Sequence, residues 1–406
     1  MISVDEGLAR VLEAVRPLSA VVRPLEACVG SVLAEKITAE ISLPPFDNSA
    51  MDGYALRTGD VAQASPETPV WLRVVGDVPA GSFFEKSISP GEAVQIMTGA
   101  RVPSTTDAVV KLEEARLREN SVEIRGPVPV GKHIRRRGED VSEGEVVLPR
   151  GTFLRLQHLA LLGSLGKKII PVYRTPSVSF LTTGSELVSV GEPLAPGKIY
   201  DTNGMVLRKM LEGFGLAPQD LGTVSDDPEQ LRELIENSPK TDLLILSGGV
   251  SVGECDYVKE VLWGLGMETI FWRVQMKPGQ PLLFGRWGEQ WVFGLPGNPI
   301  SCVVCFLIFV RCAIQKMIGI LNPGPHVIRA ILQETVLKHD RRRHYLTAVL
   351  KEENGNFLVT PTEKQGSAMV ASLAASNAFI IVPEERETLE KGERVDVLHF
   401  CVGAVE

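Results

Sequence analysis

Cysteine is scarce in this chain. Six among 406 residues provide no disulfide framework. Cys302 and Cys305 match CxxC, but Val303 and Val304 between them belong to an apolar helical run, and no second pair stands at zinc spacing. They read as buried small hydrophobes. The six histidines are scattered through the chain. Positive charge is in deficit: 42 Lys and Arg against 50 Asp and Glu give a net charge of −8. That disfavours a nucleic-acid backbone as the main partner. Long apolar runs are also missing. The longest, residues 300–310, ends at Arg311 and is short of the roughly 20 residues a spanning helix needs, so no membrane is expected. MISVDEGLARVLEAV carries Asp5 and Glu6 and no basic leader, so the expectation is a cytoplasmic protein without a signal peptide. Neither GxxxxGK[ST] nor GxGxxG with a following acid is present, which makes the common NTPase and dinucleotide readings poor.

What is present is an ordinary globular composition, 44% hydrophobic and 23% charged, at a length that suggests roughly two to four domains. Its most informative stretch is DLLILSGGVSVGECDY, residues 242–257. Four apolar residues, 243–246, suit a strand buried on both faces. The run breaks into Ser247, Gly248 and Gly249, where paired glycines let main-chain N–H groups approach a ligand. Ser251, Glu254 and Asp256 follow. A strand entering a Gly/Ser turn and a helix start can hold an anion, and the acids can carry a metal beside it.

Periodicity divides the chain. Residues 1–40 and 146–172 read as helical pieces that pack on each other as a linker domain. Residues 41–145 are short β runs between Gly and Pro turns, an inserted β domain. Residues 173–321 alternate β and α, as a mostly parallel sheet with helices on both faces does; Asp227 and Pro228 are the expected N-cap and first residue of one helix. Residues 322–406 return to short alternating runs, a C-terminal β-barrel or sandwich.

Three predicted strands of the α/β domain end in ligand-type turns: TTGSEL at 182–187, SGGVSVGECD at 247–256 and GLPGNPIS at 294–301. The carboxyl ends of parallel strands share one edge of a sheet, where ligands bind. MKPGQP places Lys277 before a Pro-Gly turn, which suits an oxyanion. Arg135, Arg136 and Arg137 with Glu139 and Asp140 form a charged patch that reads equally as a solvated loop. Asp52 in NSAMDGYAL reads as a turn residue.

In order, NSAMDGYAL, GDVPAG, IMTGARVP, DAVV, IRRRGEDV, LTTGSEL, DTN, SDDP, SGGVSVGECDYV, MKPGQP, GLPGNPIS, QGSAM and VPE resemble the molybdopterin molybdenumtransferases of the MoeA type, a family that includes the C-terminal domain of gephyrin. The resemblance runs from residue 48 to residue 383. It implies an elongated multidomain chain of class α/β plus β. Such a chain has a three-layer α/β domain of the molybdopterin-binding type, an inserted β domain and a C-terminal β-barrel. It also implies insertion of molybdate into adenylylated molybdopterin with release of AMP, Mg2+ as cofactor, and a homodimer whose cleft faces the partner's inserted domain. A molybdopterin adenylyltransferase is a further implied partner.

Carried over by motif, Ser251 is the oxyanion-contacting serine and Asp256 the Mg2+-linked acid. Lys277 is the anion-binding lysine, Ser301 and Ser367 are contacts, and Arg343 is the choice among Arg341–Arg343 for an anion-contacting arginine. Gly248, Gly249, Pro296, Gly297, Asn298 and Pro299 supply substrate-binding turns. Glu186 and Asp226 line the cleft as catalytic residues beside Asp256, Glu186 with a metal role, and Asp52 and Asp140 as catalytic residues and Thr98 as a substrate contact approach from the inserted domain. Gln280 stands where the family usually has a second lysine, keeping a donor but losing the charge. Two other readings remain open: nucleotidyl transfer like that of a molybdopterin adenylyltransferase, and a non-catalytic scaffold of the gephyrin kind.

Overall fold

The computed structural model describes residues 1–251 and 257–400. At the centre of the α/β unit is a six-stranded sheet ordered Gln219–Val224, Val178–Thr183, Leu243–Ser247, Gln290–Leu295, Leu283–Trp287, Glu268–Trp272. The first four strands run parallel and the last two antiparallel. Every residue of Leu243–Ser247 is buried, because alternate side chains serve opposite faces. Leu243 and Ile245 enter a cluster with Phe180, Phe293, Leu207 and Phe306. Leu244 and Leu246 enter another with Leu231, Ile235, Val258 and Leu262. Each such fully buried aliphatic side chain contributes roughly 1.5–3 kcal/mol. Two helical layers therefore flank one sheet. As expected, Pro228–Asn237 starts with Asp227 accepting from the N–H groups of Glu229 and Gln230 and with proline in the first turn.

The helix outlasts the apolar run of residues 300–310. Helical structure continues from Pro299 to Met317, 19 residues, and is 94% buried inside the protein. Arg311 does not end it, being itself 3% exposed.

In the C-terminal region, Arg343–Glu353, Asn356–Pro361, Val327–Leu332, Arg394–His399 and Ala378–Val382 pair in that order, and the last returns to the first. This closes a barrel around Ala330, Leu350, Val359, Ile380 and Val397. Met276–Lys277 leaves the α/β unit to pair in parallel with the barrel strand at Arg343 and His344. The inserted unit is a six-stranded sheet from Gly53–Leu56 to Ser121–Ile124. Its two chain ends are held together by Leu43 bridging Val141 and by Ile37–Thr38 pairing Val146–Leu148.

The linker meets the helical expectation only in part: Leu156–Ser164 is a helix, and Cys28, Leu33 and Ile37 pack with Leu148, Leu162 and Ile170, but the first piece is mostly not helical. Only Val4–Ala14 is an α-helix before residue 40, and it buries Val4, Val11 and Val15 in the α/β core rather than against residues 146–172. Ala20–Pro24 is a strand paired antiparallel with Ile169–Tyr173. Adjacent Val21 and Val22 favour an extended chain, and Pro24 ends the strand.

Candidate functional site

The three ligand-type turns converge. Thr182, Thr183, Gly184, Glu186 and Asp226 share a cavity of about 650 Å3 with residues 247–251 and 296–299. Parallel register produces this: Thr182 lies opposite Ser247, and Ser247 opposite Leu295. Gly248 and Gly249 have φ of +104° and +64°, a region that suits glycine. A Cβ on Gly248 would also lie 2.4 Å from the Thr183 carbonyl oxygen. The turn therefore packs backbone on backbone, leaving main-chain polar groups at the cavity wall.

Side chains fix the turns to one another. Asn203 Nδ2 donates to Ser247 Oγ at 2.9 Å and to the Gly297 carbonyl at 2.7 Å. Asp201 accepts from Thr182 Oγ1 at 2.7 Å and from the Gly204 N–H at 3.0 Å. Asp226 accepts from the Ser185 N–H at 2.9 Å, and its own N–H donates to Ser185 Oγ at 2.9 Å. Thr183 Oγ1 is buried and has no partner among the described residues. An oriented polar atom of this kind awaits a ligand or water. Asn298 precedes the helical run with Pro299 in its first turn, and its Nδ2 donates to Ser367 Oγ at 3.0 Å.

A second cavity of about 830 Å3 adjoins the first between the α/β unit and the barrel. Ser251, Pro281 and Asn298 line both, so the two form one trough. Lys277, Gln280, Arg342, His344, Ser301 and Ser367 line this second part. The Lys277 turn is seated from below: Gly279 has φ +109°, a Cβ there would lie 2.7 Å from Cys305 Sγ, and the Cys305 thiol donates to the Gly279 carbonyl at 3.5 Å. Burial drives that thiol's pKa upward, so Cys305 acts as a neutral packing group. Arg342 donates to Gln280 Oε1 at 3.0 Å and to Asp340 Oδ2 at 2.7 Å. His344 Nε2 lies 2.9 Å from Asp340 Oδ1. The Arg342 hydrogen bonds, with that of His344, hold the Asp340 carboxyl well below the usual carboxylate range. Burial lowers His344, against the pull of Asp340. Lys338 Nζ is committed to the carbonyls of Arg342, Pro383 and Glu384. Lys277 and Arg342 are therefore the cations this trough can present to an oxyanion.

Arg343 does not join them. Its guanidinium holds both carboxylate oxygens of Asp5, at 2.7 and 2.8 Å, and Glu384 at 3.0 Å. Arg342, just before the strand, and His344 line the trough, whereas Arg343 lines a separate cavity with Asp5 and Glu384. Of the three arginines, Arg342 is the one that lines the trough. Asp52, Thr98 and Asp140 do not line either cavity within this chain. Thr98 donates its N–H and hydroxyl to Asp52 Oδ1, each at 2.7 Å, which holds that carboxyl below its ordinary value. Asp140 is tied through its N–H to the Leu43 carbonyl. Asp256 lies outside the described residues. Sequence reasoning also passed over Thr183, Asp201, Asn203, Asp340 and His344. The DTN motif carried a signal for Asp201 and Asn203.

Three family models match in chain order: the MoeA N-terminal region (domain I and II) over residues 2–166, a probable molybdopterin binding domain over 179–316, and the MoeA C-terminal region (domain IV) over 329–400. A molybdopterin molybdenumtransferase of Bacillus subtilis is 37% identical over 404 residues, 98% of this chain and 94% of that protein. The chain belongs to the molybdopterin molybdenumtransferase family. A second molybdopterin molybdenumtransferase, from Haemophilus influenzae, is 37% identical over 98% of this chain and 99% of that protein. The crystal structure of a molybdopterin biosynthesis MoeA protein of Pyrococcus horikoshii superposes with a TM-score of 0.87 at 32% identity, covering 99% of each chain. In the molybdopterin molybdenumtransferase family, then, this chain supplies its trough from the α/β and C-terminal regions that two of the family models define.

Proposed function

We propose that this chain is the cytoplasmic enzyme that inserts molybdate into adenylylated molybdopterin, releasing AMP and giving molybdenum-molybdopterin. The carrying observation is the continuity of the trough: Gly/Ser turns at one part and Lys277 with Arg342 at the other, joined through Ser251, Pro281 and Asn298. A substrate with phosphates beside a dithiolene and an incoming oxyanion is anionic along its length. An acidic protein can hold such a ligand only with local donors. Backbone N–H groups of the turns suit the phosphates, and the two cations suit the tetrahedral oxyanion. The trough then holds molybdate against the dithiolene sulfurs, whose thiol protons leave with displaced molybdate oxygens as water as the Mo–S bonds form, while water adds across the phosphoanhydride link so that AMP departs and the pterin keeps its own phosphate. The match of the MoeA N-terminal and C-terminal regions beside the molybdopterin binding domain favours this over simple nucleotidyl transfer.

Mg2+ fits the donor set. Glu186 and Asp226 offer oxygen ligands on the cavity wall, and Mg2+ commonly takes one or two carboxylates plus substrate phosphates. Among the described residues no group of three or more ligating side chains stands ready, so phosphate oxygens would complete the site, with Glu186 and Asp256 as its protein ligands. When bound, the ion offsets charge on the cleaved phosphates.

The working unit is a homodimer in which Asp52, Thr98 and Asp140 face the cleft of the other subunit, and a molybdopterin adenylyltransferase supplies the substrate. Incubating the protein with adenylylated molybdopterin, Mg2+ and molybdate while following AMP tests the reading. AMP release without any dependence on molybdate would overturn it.

A further inference from the structure

The first residues of the chain lie behind the oxyanion part of the trough. Ile2 bridges Val274 in a parallel sense, accepting from the Gln275 N–H at 2.8 Å and donating to the Arg273 carbonyl at 3.3 Å. The next strand over belongs to the barrel: the Arg343 N–H donates to the Gln275 carbonyl at 3.0 Å, and Lys277 registers with His344. Three residues after Ile2, Asp5 takes both Nη atoms of Arg343. The same short segment therefore touches the strand that presents Lys277 and the strand that presents Arg342. Its own position is fixed, because Ser3 caps the helix by accepting from the Glu6 N–H, and Val4 and Val11 are buried in the α/β core.

We infer that the segment Ile2–Asp5 is a positioning brace for the oxyanion site, with Asp5 as its polar anchor, an inference that rests on the proposed binding of molybdate by Lys277 and Arg342. The path is short. Asp5 orients the Arg343 guanidinium, and Glu384 holds it from the barrel side at 3.0 Å. That fixes the rotation of the Arg343 backbone, and with it the trough-lining side chains of Arg342 and His344. A bidentate Arg–carboxylate pair sets angle as well as distance. Asp5 is 75% exposed as a side chain while Arg343 is 19% exposed, so Asp5 adds little as a surface charge. Its effect comes from the geometry it imposes on a part-buried guanidinium. Without it, Arg343 keeps Glu384 alone and can swing, and Arg342 loses its fixed direction. A group displaced slightly from its productive position weakens binding of the ligand it faces.

The test uses the full-length protein and four variants. Asp5→Asn keeps shape and removes the charge. Asp5→Glu restores the carboxylate. Lys277→Ala checks the site itself, and Arg342→Ala removes the guanidinium said to be positioned. Read out are the molybdate and adenylylated-molybdopterin concentrations for half-maximal AMP release, molybdate binding alone by calorimetry, and the melting temperature. For Asp5→Asn the half-saturating molybdate rises about three- to tenfold, on the scale of a lost ion pair. The pterin half-saturation stays unchanged, and Asp5→Glu recovers most of the loss. The rise shrinks with added salt, as a partly exposed pair should, and Asp5→Asn adds nothing in an Arg342→Ala background. An Asp5→Asn protein with altered melting temperature but wild-type molybdate dependence, while Lys277→Ala is impaired, removes the brace and leaves the site standing. An unimpaired Lys277→Ala overturns the site and the brace together.

Discussion

Gln280 Oε1 accepts a 3.0 Å hydrogen bond from Nη1 of Arg342, linking the Pro-Gly turn of the α/β unit to the residue that leads into the barrel strand Arg343–Glu353. The side chain that replaces the usual second lysine is therefore engaged inside the trough. Gln280→Lys exchanges this acceptor for a cation beside another cation. The lost hydrogen bond has a charged donor and is worth about 1.5–3 kcal/mol, the same scale as the charge-assisted contact to an oxyanion that would replace it. The added attraction of a second cation for a doubly charged oxyanion tips the balance, so half-saturating molybdate should fall at low salt, with the gain fading as salt screens it. A molybdate titration at two ionic strengths that finds no change at either would show that this position does not reach the oxyanion.

Adjacent arginines should part company. Arg342→Ala removes a charged contact worth about 1.5–3 kcal/mol, so half-saturating molybdate should rise roughly 10- to 100-fold. Its melting temperature should change little, since Arg342 is not buried. Arg343→Ala leaves Glu384 and Asp5 without their guanidinium and should lower the melting temperature more. Equal effects of the two substitutions on molybdate dependence would contradict their assignment to separate cavities.

Glu186→Gln and Asp256→Asn should each raise the Mg2+ concentration needed for half-maximal AMP release, and added Mg2+ should restore part of the turnover. Both replace a charged oxygen ligand with a neutral one. Wild-type Mg2+ dependence in both variants would remove these acids from the metal site.

The proposed sharing of the site between subunits makes a prediction about mixtures. Asp52→Ala and Lys277→Ala homodimers should each be poorly active, and subunit exchange between them should restore activity through hybrid dimers carrying one intact cleft. Exchange confirmed by mass, with no recovery of AMP release, would place Asp52 outside the site.

Acid stability tests the far edge of the sheet. Asp242 binds Arg174 at 2.6 and 2.5 Å and the Ser177 N–H and hydroxyl at 2.8 Å each. Burial pushes the Asp242 carboxyl up, but the Arg174 and Ser177 hydrogen bonds together pull it further down, below its ordinary value. The unfolded chain, with a pKa near 3.9, therefore binds the proton more readily. The stabilisation is present above that value and lost as pH falls through the folded one. Asp242→Asn should cost on the order of 2 kcal/mol near pH 7. Its melting-temperature gap from wild type should stay level from about pH 5 to 8 and narrow below about pH 4. A gap that persists unchanged in acid would mean the loss is one of packing.

Local grammar made much of the fold legible. The apolar run into Gly248 and Gly249 has one good reading, a buried strand entering a tight turn. Asp227 before Pro228 announces a helix start. Period-two runs after residue 322 announce the barrel. Other features depend on information no window of sequence holds. Arg341, Arg342 and Arg343 are chemically alike, so their order says nothing about which faces the trough; that depends on where the strand begins and what it pairs with. Asn203 matters because it spans from Ser247 to Gly297, and neither partner is near it in the chain. The helical rhythm of residues 4–15 does not extend past Pro17, where Val21 and Val22 turn the chain into a strand. Arg311 looked like a stop because charged residues rarely enter a core, yet here the helix runs on through it.

The continuity of the trough bears on how the reaction ends. An adenylylated substrate spanning both cavities is a bivalent ligand, held at the turns and at the cations, and each grip raises the effective concentration of the other. Cleavage of its phosphoanhydride link divides it into fragments that must each hold on alone. The bond change itself then loosens the protein's grasp, and release follows from chemistry without any gate having to open. Measured separately, AMP and unadenylylated molybdopterin should each bind more weakly than the intact adenylylated compound.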